Sequence, residues 1–297
     1  MKLTNQINAI RESYKEMMIK KDHCSCKIPQ IKEVEKIIEL SRELIFPGYF
    51  SDKHLSELPC VSHTKRVVKK LHKLLKTQIK YSLLYLSDQE KSKQLAKKSC
   101  TLCVDFINHI PDIRRFAYKD ALAHFNGDPA AFNLDQVIIS YPGLYAIVVY
   151  RIAHCLDKIG VQVIPRMMSE YAHKVTGIDI NPKAVIGESF FIDHGTGVVI
   201  GETAVIGDNV KIYQGVTLGA ISLRKGQKLK GSKRHPTIGN DVTIYANASI
   251  LGGDTVIGDN SVIGSNVFIT KSIEKNMVVT NKEGELLLRE NKTNGNL

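Results

Sequence analysis

Ile200-Gly-Glu-Thr-Ala-Val-Ile206-Gly-Asp-Asn-Val-Lys-Ile212-Tyr-Gln-Gly-Val-Thr-Leu218 sets an aliphatic residue at every sixth position. An amphipathic helix repeats about every 3.6 residues and a half-buried strand every second residue, so neither explains this spacing. Outward from the stretch the same step recurs at Ile180, Ile186 and Ile192 and at Ile238, Ile244 and Ile250. After a one-residue slip it resumes at Ile257, Ile263 and Ile269. A step of six is a solenoid period. Each hexapeptide makes one short strand and one corner, its leading aliphatic pointing inward while Gly, Asp and Asn take the tight turn. Three hexapeptides close a coil, and coils stack at about 4.8 Å. The sequence therefore predicts a left-handed parallel β-helix over 177–275.

The period is broken in three places, and each break marks where something besides stacking is required. Ile192 and Ile200 stand eight apart around Asp193-His194-Gly195-Thr196-Gly197. Between Leu218 and Ile238 a segment from Ile221 to Arg234 loops out, carrying Arg224, Lys225, Lys228, Lys230, Lys233 and Arg234 and no acidic residue. The third break is the slip at Gly252-Gly253-Asp254. The solenoid's two histidines, His194 and His235, fall at the first two breaks. A histidine base needs a partner that fixes its tautomer, commonly a carboxylate. Asp179, close to one coil before His194, and Asp193, beside it, are both candidates. The basic loop suits a polyphosphate such as that of coenzyme A, or equally a cover over the acceptor.

Upstream, the apolar pattern is helical. Ile31, Val34, Ile37 and Ile38 open one group, and Val68, Leu71, Leu75 and Ile79 recur under a lysine-rich face between Lys65 and Lys80. A helix after Pro142-Gly143 carries Leu144, Ile147, Val148, Arg151, Ile152 and Cys155, with His154 read as a packing or surface residue rather than a catalytic one. The expected organisation is α+β: an N-terminal all-α helical region, lysine-rich over 1–110 and continuing as a helical domain beside the site over 111–176, followed by the β-helix and a tail over 276–297.

The net charge of +11 belongs almost wholly to the first part, where residues 1–176 hold 28 basic and 18 acidic side chains. No aromatics interleave with those lysines, so a solvated helix face is expected rather than a nucleic-acid surface. The 14-residue apolar run from Val137 to Tyr150 is broken by Pro142 and Gly143 and is too short to span a bilayer, so no membrane association is expected. Charged residues stud the opening stretch to Lys21, which lacks a signal-peptide core, and the six cysteines then read as reduced thiols of a cytoplasmic protein. Cys24-x-Cys26 and Cys100-x-x-Cys103 lack a second pair at zinc spacing, so no metal is expected.

Gly127-Asp128-Pro129-Ala130, Tyr150-Arg151-Ile152-Ala153-His154, Asp179-Ile180-Asn181-Pro182, Ile192-Asp193-His194-Gly195-Thr196-Gly197, Gly201-Glu202-Thr203-Ala204, Thr217-Leu218-Gly219 and Arg234-His235-Pro236 together resemble the serine O-acetyltransferases, hexapeptide-repeat acyltransferases of cysteine biosynthesis. The resemblance implies transfer of acetyl from acetyl-CoA to the hydroxyl of L-serine. It implies His194 as general base paired with Asp179, Asp128 and Asp193 on the serine ammonium, Arg234 on its carboxylate, and His235 lining the pocket. Acetyl-CoA would lie along Gly219, Ala220 and Ala246, with Ala220 a departure from the usual second glycine. A homo-oligomer is implied, a trimer or dimer of trimers with sites between neighbouring β-helices. Some relatives end in an isoleucine that docks into O-acetylserine sulfhydrylase; Leu297 stands there instead and leaves that complex open. The alternatives are a hexapeptide acetyltransferase for a sugar or other small hydroxyl, a non-catalytic assembly protein, and a β-helical metal hydratase. A neutral sugar does not need Asp128, Asp193 and Arg234, an assembly protein leaves the breaks unexplained, and a hydratase needs a third histidine.

Overall fold

The computed structural model describes residues 3–16, 28–50, 61–86, 92–222, 224 and 226–282. Cys24-x-Cys26, Lys225 and Leu297 lie outside the described residues. The chain divides into two compact units, Met1–Ile113 with Cys155–Met168, and Arg114–His154 with Ser169–Leu297.

The first unit is helical. It contains α1 (Thr4–Glu16), α2 (Ile31–Ile45), α3 (Val61–Leu86) and α4 (Ser92–Asn108). Helix α3 packs against both α2 and α4, and Val34, Ile37, Ile38 and Ile45 of α2, Val67, Leu71, Leu75 and Ile79 of α3, and Leu95, Cys103 and Phe106 of α4 are all buried. Val67 is buried and Val68 only half-buried, one position earlier than the sequence suggested. The lysines of α3 cover the opposite, exposed face. Cys100 and Cys103 sit on α4, where burial pushes the Cys103 thiol up to about 12.

Helices α5 (Ile110–Gly127), α6 (Leu134–Ser140), α7 (Pro142–Lys158) and α8 (Ile164–Thr176) lead into the solenoid. Pro142 opens α7, where its missing N–H costs nothing. No single helix among the described residues is long and apolar enough to cross a membrane.

From Asp179 the chain winds through five coils. They carry β1 (Asp179–Ile180), β2 (Val185–Ile186) and β3 (Phe191–Ile192), then β4 (Val199–Ile200), β5 (Val205–Ile206) and β6 (Lys211–Ile212). The third holds β7 (Thr217–Gly219), β8 (Thr237–Ile238) and β9 (Thr243–Ile244), and the fourth β10 (Ser249–Leu251), β11 (Val256–Ile257) and β12 (Val262–Ile263). The last has β13 (Phe268–Ile269), a bridge from Ile273 to Ile257, and β14 (Val278–Val279). Every pairing is parallel, and the strands sort into three faces ordered β1-β4-β7-β10-β13, β2-β5-β8-β11 and β3-β6-β9-β12-β14. This is the left-handed parallel β-helix. The register stacks Ile180 on Ile200, Leu218, Ile250 and Ile269. These side chains are almost wholly buried, and each contributes about 1.5–3 kcal/mol. Asn209, Asn247, Asn260, Asn266 and Asn276 adopt the left-handed conformation at the corners, which Asn tolerates best after Gly.

Candidate active site

The first break forms the corner between the third face and the first. Two extra residues after β3 are accommodated by positive φ at His194 (55°), Gly195 (77°) and Gly197 (83°). The left-handed backbone at Gly195 favours glycine, and a Cβ there would also push on the end of the Ile178 side chain, 2.4 Å away. Holding a histidine in this conformation costs on the order of 1–3 kcal/mol, and stacking alone would not select it. The imidazole is left 70% exposed. Asp193 Oδ1 accepts from the His194 main-chain N–H at 2.8 Å and lies 3.6 Å from its Nδ1. Asp179 pairs in register with Val199, where the turn re-enters the first face, and one of its carboxylate oxygens is shielded from water.

Asp128 reaches the same corner from the end of α5. Its Oδ2 accepts from the Tyr141 hydroxyl at 2.5 Å and its Oδ1 from the Ala130 N–H at 2.8 Å. These bonds, with the nearby His194 imidazole, hold Asp128 below the usual carboxylate range, while Asp128 pushes the Tyr141 phenol up to about 12. Behind it His124 is wholly buried, donating from Nδ1 to the Asp120 carbonyl at 2.7 Å and accepting at Nε2 from the Ile192 N–H at 3.4 Å. Burial pushes this imidazole down to about 4. It is a neutral strut.

Beneath the strut lies a buried ion pair. Arg151 on α7 donates to both carboxylate oxygens of Asp120 at 3.0 Å, to Ile186 O at 2.7 Å and to Gly187 O at 2.5 Å. Asp120 Oδ1 also accepts from the Phe190 N–H at 2.9 Å. Two helices and the first coil are thereby locked in one geometry. His154 is a packing residue, its Nδ1 donating to Pro182 O at 2.7 Å.

Arg234 and His235 stand at a different corner, between the first face and the second, where the basic loop returns. Arg234 is ion-paired to Glu202, which also meets Lys183 Nζ at 3.0 Å; the guanidinium is the main reason Glu202 sits below its usual range. The Thr203 hydroxyl accepts from the Arg234 N–H at 2.9 Å and the His235 N–H at 3.0 Å, so its own hydrogen goes to His235 Nδ1, 2.9 Å away. Nδ1 also accepts from the Thr203 N–H at 3.1 Å, which fixes the proton on Nε2. Burial and the Arg234 charge push this imidazole down to about 4. A Cβ on Gly201 would fall 2.0 Å from the His235 ring. The third break belongs to the same feature: a Cβ on Gly253 would lie 2.4 Å from Lys233 O, so the slip seats the returning loop.

Asp128, Asp193 and His194 thus share one corner with Asp179 on the adjoining strand, and Ala246 stands on that corner two coils along, in the turn between β9 and β10. Gly219, Ala220, Arg234 and His235 lie across the first face at its other edge. Sequence reading passed over Tyr141, His124 and Asp120, and quoted Glu202 and Thr203 in a motif without giving either a role. One signal was available, a lone Arg151 on an otherwise apolar helix face.

The known proteins converge on one reading. Residues 235–271 match the bacterial transferase hexapeptide (six repeats) family. The chain is 40% identical over 233 residues to the plasmid serine acetyltransferase of Synechococcus elongatus, covering 76% of this chain and 73% of that one. It is 52% identical over 125 residues to a serine acetyltransferase of Helicobacter pylori, covering 42% of this chain and 70% of that one. Among solved structures, serine acetyltransferase isoform 3 of Entamoeba histolytica, in complex with cysteine, superposes with a TM-score of 0.73 at 36% identity, covering 89% of this chain and 86% of that one. A hexapeptide solenoid broken at a histidine, with paired aspartates on one edge and an Arg-His pair on the other, accompanies that likeness, and the chain belongs to the serine acetyltransferase family.

Proposed function

We propose that His194 takes the proton from the L-serine hydroxyl as that oxygen attacks the thioester carbonyl of acetyl-CoA, releasing coenzyme A and O-acetyl-L-serine. Asp128 and Asp193 bind the serine ammonium, Asp179 orients the base, and Arg234 with His235 takes the carboxylate. The observation that carries this reading is the convergence of Asp128, held ionised by Tyr141, with Asp193 and His194 at one corner. A cation between two carboxylates and a carboxylate on a guanidinium are the contacts that a small zwitterion requires. Arg234 carries five N–H donors, of which Glu202 and Ser232 O engage two, so donors remain for the substrate.

A single chain leaves this set divided. A hexapeptide side of the prism measures on the order of 15 Å, while one serine needs both sets of groups within hydrogen-bond reach. A three-fold assembly that sets the His194 edge of one β-helix against the Arg234 edge of the next completes the site, and would cover the exposed imidazole. Acetyl-CoA then runs in that groove past Gly219, Ala220 and Ala246. The free thiols of Cys100, Cys103 and Cys155 suit a reducing cytoplasm.

The test is an assay of thiol release from acetyl-CoA with L-serine, for the protein and for His194→Ala. The variant is expected to lose at least about a hundredfold in rate. A variant as fast as the parent protein rejects the mechanism.

A further inference from the structure

The strand register aligns the third-to-first corners coil by coil. Ile192 pairs with Ile212 and Ile212 with Ile244, and past the two extra residues the Gly215 N–H donates to Thr196 O while the Asn247 N–H donates to Gln214 O, so Gln214 stacks between Thr196 and Ala246 at the corner from which His194 projects. Beside it the residues that follow those isoleucines, Asp193, Tyr213 and Tyr245, form a column in which the two tyrosine rings stack at 5.1 Å and 16°. Gln214 is the unexplained member. Its side-chain Oε1 is shielded from water and meets no hydrogen-bond partner among the described residues. A buried polar atom left in this state disfavours the fold, so its retention beside the proposed base calls for a partner that arrives later.

The acyl donor's arm has the right spacing. From the thioester sulfur it runs through two methylene carbons to an amide nitrogen, about 4 Å away by ordinary bond lengths. Successive coils are about 4.8 Å apart. With the thioester at the His194 coil and the arm leading toward Ala246, the first amide falls beside Gln214. We propose that Gln214 accepts a hydrogen bond from this amide N–H and so positions the thioester carbonyl against the acceptor hydroxyl. The assignment rests on the acetyl-CoA groove proposed above. Gln214 is a donor-positioning residue, and the proton transfer remains with His194.

The experiment compares the full-length protein with Gln214→Leu on three donors: acetyl-CoA, S-acetyl-N-acetylcysteamine, which keeps the first amide, and ethyl thioacetate, which has the thioester but no amide. For the two amide donors kcat/KM is expected to fall about tenfold, the scale of one hydrogen bond, and for ethyl thioacetate to stay within about twofold. The thermal midpoint and the sedimentation coefficient should not fall, because leucine removes an unpartnered polar atom without opening a cavity. Equal loss with all three donors overturns the proposal, as does a drop in oligomer size, which would show that a second copy of the chain satisfies the amide. In both cases the acetyl-transfer reading stands, since that reading fails separately, through an active His194→Ala.

Discussion

Arg151→Met tests whether the buried ion pair under the site is structural cement. Asp120 is fully inaccessible and Arg151 nearly so, and the substitution removes all four hydrogen bonds of the guanidinium. Only the Phe190 N–H would remain on the Asp120 carboxylate. Breaking one side of such a pair typically costs about 3–5 kcal/mol, because the other charge is stranded in a low dielectric. In urea unfolding at fixed protein concentration the midpoint should fall by about 1 M or more. Burial already pushes Asp120 up, so without its cation the carboxyl would titrate higher still. The folded variant then binds protons that the unfolded chain does not, and its deficit shrinks as pH falls. The double variant Asp120→Asn/Arg151→Met removes the stranded charge and should recover part of the loss. The pair also fixes the end of α5 that presents Asp128 to the corner, so acetyl transfer should fall with stability. A single variant within about 1 kcal/mol of the parent protein, or a double variant no better than the single, refutes this account.

Thr203→Val removes the hydroxyl that aligns Arg234 and His235; we expect the KM for serine to rise about tenfold with a smaller change in kcat, and unchanged steady-state constants would contradict it. Acid should destabilise the protein through His124 and His235, both pushed down to about 4 from an ordinary 6.5. Between those limits the unfolded chain binds protons that the folded chain refuses, so stability falls as pH drops, by up to about 1.4 kcal/mol per pH unit for the fully buried His124. Urea midpoints measured from pH 7 to 4 should show this slope, and His124→Gln should flatten it.

The solenoid was legible because its period is enforced at every coil: one inward aliphatic per hexapeptide is a stacking requirement that leaves a mark at fixed spacing. His194 and His235 stood out for the converse reason, as the solenoid's two histidines at breaks in that period, and the roles proposed for them begin from that placement. The roles of Tyr141, Glu202 and Thr203 were not legible, since each acts through a partner well removed along the chain, Asp128 for Tyr141 and the Arg234-His235 pair for the other two, and belongs to a type common on any surface. Gln214 was hidden differently. It keeps the period, and only the stacking register shows that it shares a corner with His194.

The three breaks are best understood together. The first buys an exposed imidazole at the expense of backbone strain, and the second carries an arginine and a histidine to the opposite edge of the same face. The third has no chemical group of its own: Gly252-Gly253 yields space to the chain returning at Lys233. Each departure is followed by a return to register, so the coils above and below remain a rigid ruler. That rigidity matters because reacting groups must be held within about half an ångström of the productive geometry. Loops on a softer scaffold would need their own support. Here a defect of two residues is clamped by strands on both sides, and the buried Asp120–Arg151 pair extends the clamp to the helix that brings Asp128.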